Sequence, residues 1–480
     1  MLHDPRDIPV TTIVPDAAAA LEASVLALLA HRADVPAHLA RCLAADPGLV
    51  AAHALAGFSA RMQARQELEA TAATHLAAAR AGLAERGGTA RERGLVAALA
   101  AWQEDGDMLA AAGHLGRLTR AAPRDAMALK LEHGLRFMLG DASGMRDAMA
   151  AAASGWTADM PGFGYMLGLH AFALEETGAP AAAERLGRDA VAAAPDDLWG
   201  GHAVAHVMEG AGRAREGLDW IGGMRGHLAD GGGFGRHVLW HAALFHLHLG
   251  QVEAALDLHD HCIHDRPAED VRDFANAASL LWRIEAQGIA VGQARWDALA
   301  DIAARRSAEP GLAFIDLHHV LALGAAGRRQ ALADKLEALR LRAAAGADTQ
   351  GEVLARCGLP AARAIALARG GDPAGAVDLL LPLRQALRDL GGSGAQRDLF
   401  DRLLIDACLA SGRIITAAML LEDREAIRAL GAWEAGCART IRSAMAPRGR
   451  QVIPAKASTS LVGPQTINRS PSTMGVSAWA

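Results

Sequence analysis

The sequence predicts an all-α protein, a superhelical solenoid of tetratricopeptide-like helix-turn-helix repeats. Three observations predict it: glycines that recur at a near-constant spacing, helical apolar periodicity between them, and a scarcity of the residues that build large sheets. The turn glycines are Gly106, Gly140, Gly178, Gly212, Gly250, Gly288, Gly327, Gly371 and Gly412, at intervals of 34, 38, 34, 38, 38, 39, 44 and 41 residues. A period of about 34 residues is that of tetratricopeptide repeats, and helical-hairpin repeats in general run to about 47. Aromatic residues make up 4% of the 480-residue chain, with a single Tyr, so the aromatic runs that strands favour are missing.

Taken in order, residues 1–16 contain Pro5, Pro9 and Pro15 and are expected to be an irregular lead-in. Residues 17–444 are expected to form the solenoid. Before each turn glycine lies a helix-like run, such as GFGYMLGLHAFALEET or GRHVLWHAALFHLHL. After it comes a second, such as AAAERLGRDAVAAA or QVEAALDLHDHCI. Glycine ends the first helix because it takes the left-handed conformation that caps it. Pro123 to Asp125 and Pro195 to Asp197 mark entries into the next hairpin, with Asp as N-cap. Abundant alanine lets hairpins approach closely, and no single hairpin can bury its apolar stripe alone. The stretch 445–480 is polar, rich in Ser, Thr and Pro, and without apolar periodicity; it is expected to be a disordered tail.

Composition excludes several functions. A net charge of −6 and a pI near 6.4 supply no basic field for nucleic acid or an anionic membrane. The most apolar early run, residues 17–30, is interrupted by Glu22 and is too short to span a bilayer. The five cysteines (Cys42, Cys262, Cys357, Cys408 and Cys437) are scattered and include no Cys-x-x-Cys. That pattern suits reduced thiols and a cytoplasmic protein. The start of the sequence lacks a basic n-region and an apolar h-region, so no signal peptide is expected.

The chemistry concentrates between residues 199 and 318. Counted back from their turn glycines, Trp199 and His237 stand at −13, and His202 and Trp240 at −10. His241, Ser279 and His318 stand at −9, His206 and Trp282 at −6, and Glu209 at −3. At about 100° per residue, positions −13, −10, −9 and −6 share one arc of a helix. The candidate pocket is therefore Trp199, His202, His206, Glu209, His237, Trp240, His241, Trp282 and His318, extended by Asp316 from the helix of His318, on first helices expected to line the concave surface. Histidines four apart point the same way, so His202 with His206 and His237 with His241 are candidate ligands of one divalent metal ion. Glu209 is a candidate ligand, outer partner or general base. Two other readings stay open: a small-ligand pocket, and core histidines bonded to acids and carbonyls. His202-Ala-Val-Ala-His206 lacks the glutamate of the zinc-protease motif.

Two further clusters are read as structural. His259, Asp260, His261 and His264 crowd a second helix and are expected on a solvated face. Gly391 to Asp398 lacks the Gly-Lys-Ser/Thr of a phosphate loop and is read as a connector with a polar cap.

Together, several motifs resemble the tetratricopeptide repeat protein 38 family. They are Trp199-x-x-His202-Ala-Val-Ala-His206-x-x-Glu209, Gly212-Arg213, Glu216-Gly217 and His237-x-x-Trp240-His241-x-Ala-Leu. Phe172-Ala-Leu-Glu175-Glu176, Ser279-Leu-Leu-Trp282-Arg283, Asp316-x-His318 and Ser393-x-x-Gln396-Arg397-Asp398 add to it. The resemblance covers roughly residues 20–424; Gly394 and the stretch beyond Arg424 depart from it. It implies a cytoplasmic helical-repeat protein and names no reaction. The leading expectation is a binding or scaffold protein that holds a protein segment or small ligand on its concave face. The alternative is an enzyme with a buried His/Glu/Trp pocket, with or without a divalent metal.

Overall fold

All nine turn glycines take the left-handed backbone conformation, with φ between 64° and 89°. The computed structural model describes residues 1–264 and 270–446, and among these the chain is helical almost throughout. Residues 1–444 form one compact unit. Each turn glycine joins two helices that pack on each other, as Phe163–Glu176 does on Pro180–Ala193 and Leu198–Gly210 on Ala214–Gly223. At seven of the nine turns the residue after the glycine donates its N–H five residues back, as Arg213 does to Met208 (2.9 Å) and Gln251 to His246 (2.8 Å); after Gly106 the bond, from Asp107 to Ala101, reaches six back. This satisfies a helix-end carbonyl, and glycine carries the left-handed step without a Cβ clash. The Asp caps form as well: Asp125 accepts from Ala128 N–H and Asp197 from Trp199 N–H, both at 3.2 Å. Ser393 and Gln396 make a reciprocal capping box at the glycine-rich connector.

The structure adds two hairpins that the glycine spacing does not reveal. Pro15–Leu29 packs on Val35–Ala45, and Val50–Arg61 on Glu69–Arg86. Their turns use His31 (φ 58°) and Ala64 (φ 53°) where the later turns use glycine. The lead-in is also more ordered than expected. Leu2–His3 and Pro9–Val10 form an antiparallel ladder, tightened by Asp4, which accepts the N–H groups of Arg6 and Ile8. The Arg6 guanidinium is buried between Asp4 and Glu22. The last described helix is Ala432–Met445; the expected tail lies, from residue 447 on, outside the described residues. No helix is long and apolar enough to cross a membrane.

What positions the site is the packing of first helices side by side in chain order: Phe163–Glu176, Leu198–Gly210, Gly232–His248, Val271–Glu285 and Ala313–Ala325. The turn ends of these helices are covered by the C-terminal part of the chain. Gly394 N–H and Arg397 hold Glu176 (2.7 and 3.1 Å), and Ala429 N–H donates to the Gly210 carbonyl (2.8 Å).

Candidate metal centre

Leu198–Gly210 and Gly232–His248 bring His202, His206, His237 and His241 into one buried cluster. None of the four is more than 7% exposed. One ligand nitrogen from each lies within 4.8 Å of every other. At the centre, His202 Nε2 is 2.9 Å from His206 Nε2 and 3.0 Å from His237 Nε2. The His241 ring centroid is 4.6 Å from that of His206 and 4.8 Å from that of His202.

The outer nitrogens fix the inner ones. His206 Nδ1 faces Glu175 Oε2 at 3.2 Å and Glu176 Oε1 at 3.8 Å. His241 Nδ1 faces Glu209 Oε2 at 3.4 Å, and His237 Nδ1 lies 3.1 Å from Asn276 Oδ1. A carboxylate or amide oxygen calls for a proton on Nδ1, so Nε2 of each neutral ring carries a lone pair. Once His206 has lost its extra proton, its Nε2 lone pair and that of His237 both face His202 Nε2, which has at most one N–H to share between them. Around a tetrahedral zinc ion, ligand nitrogens stand about 3.3 Å apart, close to the separations found. Histidine ligands backed by carboxylates are the usual outer shell of such an ion.

Aromatic rings wall the cluster. Trp240 stacks on His237 (5.4 Å, 16°), and the Arg283 guanidinium lies over the indole, 5.5 Å from its centroid. Phe172 stacks on His202 (5.5 Å, 20°), and Trp199 and Phe234 approach it at 5.4 and 5.3 Å. Burial and the neighbouring imidazoles pull His202 and His237 well below the usual histidine range. Burial takes His241 down to about 4 despite Glu209. His206 is the exception. Burial lowers it, but Glu175, Glu176 and Glu209 outweigh that and raise it. Glu209, pushed up by burial, is held at about 2 by His241 and by Arg428, 3.6 Å away.

The ten predicted pocket residues do not form one pocket. Trp199, Glu209 and Trp240 join the four histidines. Trp282 is buried but makes no ring contact with them among the described residues. Asp316 instead accepts from Lys335 (3.0 Å) and Gly311 N–H (2.8 Å), a separate buried ion pair. His318 donates to the Phe314 carbonyl (2.8 Å) beside Phe400. Nor is His259 on a solvated face: it is buried and bonded to Asp260, while His261 is exposed.

Residues outside the predicted set complete the centre. Glu175 stands three before Gly178, the register of Glu209 before Gly212, so the same counting rule finds it. Glu176 and Asn276 carry no comparable local signal. No protein-family model matches the chain.

Proposed function

We propose that this protein is a metalloprotein built on a tetratricopeptide-like α-solenoid of the tetratricopeptide repeat protein 38 kind. It holds one divalent transition-metal ion on His202, His206, His237 and His241. The observation that carries this reading is the convergence of Nε2 atoms at 2.9 and 3.0 Å with outer nitrogens directed at Glu175, Glu209 and Asn276. An all-imidazole set suits Zn, Cu, Fe or Ni. The solenoid reading rests on the side-by-side first helices and the repeated glycine turns, the family reading on the ordered motifs, and a cytoplasmic setting on the scattered thiols.

The ion ties four successive hairpins together, since the ligands sit on two of them and their outer partners on the hairpins before and after. Recognition of a protein segment by these residues is disfavoured, because the imidazoles and indoles are buried beneath one another. One observation favours a second reading, a metal-dependent enzyme. Glu209 faces His241 and also lines a small cavity with His248, Arg283 and Arg428, where its carboxylate would accept a hydrogen bond from a bound water and orient it.

Cobalt(II) substitution tests the proposal. Four imidazole ligands give the intense visible d–d bands of a tetrahedral centre, abolished in His202→Ala/His241→Ala. A spectrum of six-coordinate aqueous cobalt in the wild-type protein would overturn it.

A further inference from the structure

Beneath the C-terminal cover, four arginines and three carboxylates meet among the described residues. The arginines are Arg283 on Val271–Glu285, Arg402 on Gly394–Ala410, Arg424 on Ile414–Glu425, and Arg428 just beyond it. Asp398 faces all four: Arg402 at 2.7 Å, Arg428 at 2.8 Å, Arg424 through both terminal nitrogens, and Arg283 at 3.8 Å. Glu434 takes Arg402 at 3.0 Å and Arg424 at 2.9 Å, and accepts the Gly431 N–H at 3.0 Å. Glu209 lies 3.6 Å from Arg428 and faces His241. Four guanidiniums thus stand against three carboxylates, a formal surplus of one positive charge. Two further carboxylates leave that balance as it is: Asp401 is paired with Arg384 (3.4 Å), and burial pushes Asp406 up to about 7. Arginine keeps its proton in proteins, so the surplus cannot titrate away.

Arg283 is the least well answered of the four. It is 2% exposed, and its hydrogen bonds go to neutral oxygens, those of Ser279 and the Ala395 carbonyl (2.8 Å). A buried cation without a close anion is costly, and burial pulls this guanidinium down to about 9. Arg402 bonds Asp398 through Nε and Glu434 through Nη2, and makes no hydrogen bond through Nη1 among the described residues. Arg428 turns its terminal nitrogens to Asp398 and Glu209 and makes none through Nε. All four arginines line one cavity of about 30 Å³, closed by Leu244 and Leu247 and edged by Gln287. A water needs about 10–15 Å³ by that measure. The space therefore takes one or two waters or one halide ion, and is too small for phosphate or sulfate.

We infer that this cavity is a chloride site, in which one small monovalent anion is held by Arg283, Arg402 and Arg428. Charge selects an anion, because the surrounding groups lack one negative charge. Size selects a halide. Hydrogen bonds from guanidinium to an anion are among the strong ones. Glu209 and Glu434 also line the space, but each is already engaged, Glu209 by His241 and Arg428 and Glu434 by Arg402, Arg424 and Gly431. The ion joins Arg283, on one of the inner helices, to Arg402 and Arg428 on the cover, and so fastens the cover down. The inference does not depend on the metal reading, since none of the three arginines is among the proposed metal ligands. Water is the competing occupant of the cavity.

Thermal unfolding of the full chain in sodium chloride, against sodium gluconate at the same ionic strength and pH, tests it. Gluconate is too large to enter. Chloride is expected to raise the midpoint by about 2 °C or more, because a ligand of the folded state alone stabilises that state. Gln287→Glu places a carboxylate at the cavity edge in the ion's stead. This variant is expected to melt higher than wild type in gluconate and to lose the chloride shift. Crystals grown in bromide locate the ion, with an anomalous peak expected within hydrogen-bond reach of Arg283, Arg402 and Arg428. The inference is overturned if the chloride and gluconate melts coincide, if Gln287→Glu keeps the wild-type chloride shift, or if the cavity holds water and no bromide.

Discussion

Metal binding is predicted to displace one proton at pH 6. Burial keeps His202 and His237 neutral far below their ordinary range and takes His241 to about 4, whereas the three glutamates keep His206 protonated. An ion needs the Nε2 lone pair, so it displaces the His206 proton and no other. Four ordinary imidazoles would together release about three protons at that pH. Calorimetric titration of metal into apo-protein, in two buffers of different ionisation heat, counts them directly. The logarithm of the association constant is expected to rise by one per pH unit below the His206 pKa and to flatten above it, and each unit is worth about 1.4 kcal/mol. Near pH 4 the slope steepens toward two as His241 protonates. Glu175→Gln, which removes the charge that does most to raise His206, is expected to bring the count toward zero. Release of three protons at pH 6 would refute the burial argument. Release of none would refute the pairing of His206 with its glutamates.

Three further outcomes follow from the same geometry. A depressed histidine contributes stability that is present above its unfolded pKa and is lost as pH falls below it. The shift of His241 from 6.5 to about 4 therefore costs the metal-free fold about 3 kcal/mol across that interval; urea unfolding at pH 7 and pH 4 reads this as the part of the acid loss that His241→Asn removes. Lys335→Met strands the buried Asp316 carboxylate and is expected to cost about 3–5 kcal/mol, while Lys335→Met/Asp316→Leu recovers most of it; an uncharged pair no better than the single variant would count against the ion-pair account. Gly178→Ala meets open space and only a left-handed backbone, for about 1 kcal/mol. Gly140→Ala, with the same backbone, would also drive its Cβ to 1.9 Å from the Arg388 carbonyl oxygen, so thermal melts should show it several-fold more destabilising.

The glycine spacing carried the nine later hairpins because a left-handed turn strongly favours glycine. The first two stayed hidden because His31 and Ala64 bear that conformation instead. Counting back from each glycine brought the four histidines onto one face, and they do meet. The same counting puts Trp282 and His318 on equivalent faces, with Asp316 on the helix of His318, and none of the three joins the four histidines. Register sets direction, while distance depends on the helix: neighbouring axes are about 8–10 Å apart, so the helix of Asp316 and His318, two removed from that of His237 and His241, is out of reach, and the adjacent helix of Trp282 meets the cluster through Asn276 instead. Lys130, ten before Gly140, has the register of His202 and Trp240, but its partner, His31, comes from a turn 99 residues away. The lid of Gly394, Arg397, Arg428 and Ala429 over the first helices is a long-range contact that no local pattern announces. The face expected to be open is buried instead, with Phe172, Trp199, Phe234 and Trp240 packed on its histidines.

The central claim is that four imidazoles share one ion, and the metal content of untagged protein tests it most directly. After reconstitution with a divalent transition metal and desalting, the wild-type chain is predicted to retain about one ion. His202→Ala/His241→Ala, still helical by circular dichroism, is predicted to retain none. Wild-type protein that leaves the column without metal, or a double variant that keeps its full equivalent, would contradict the account.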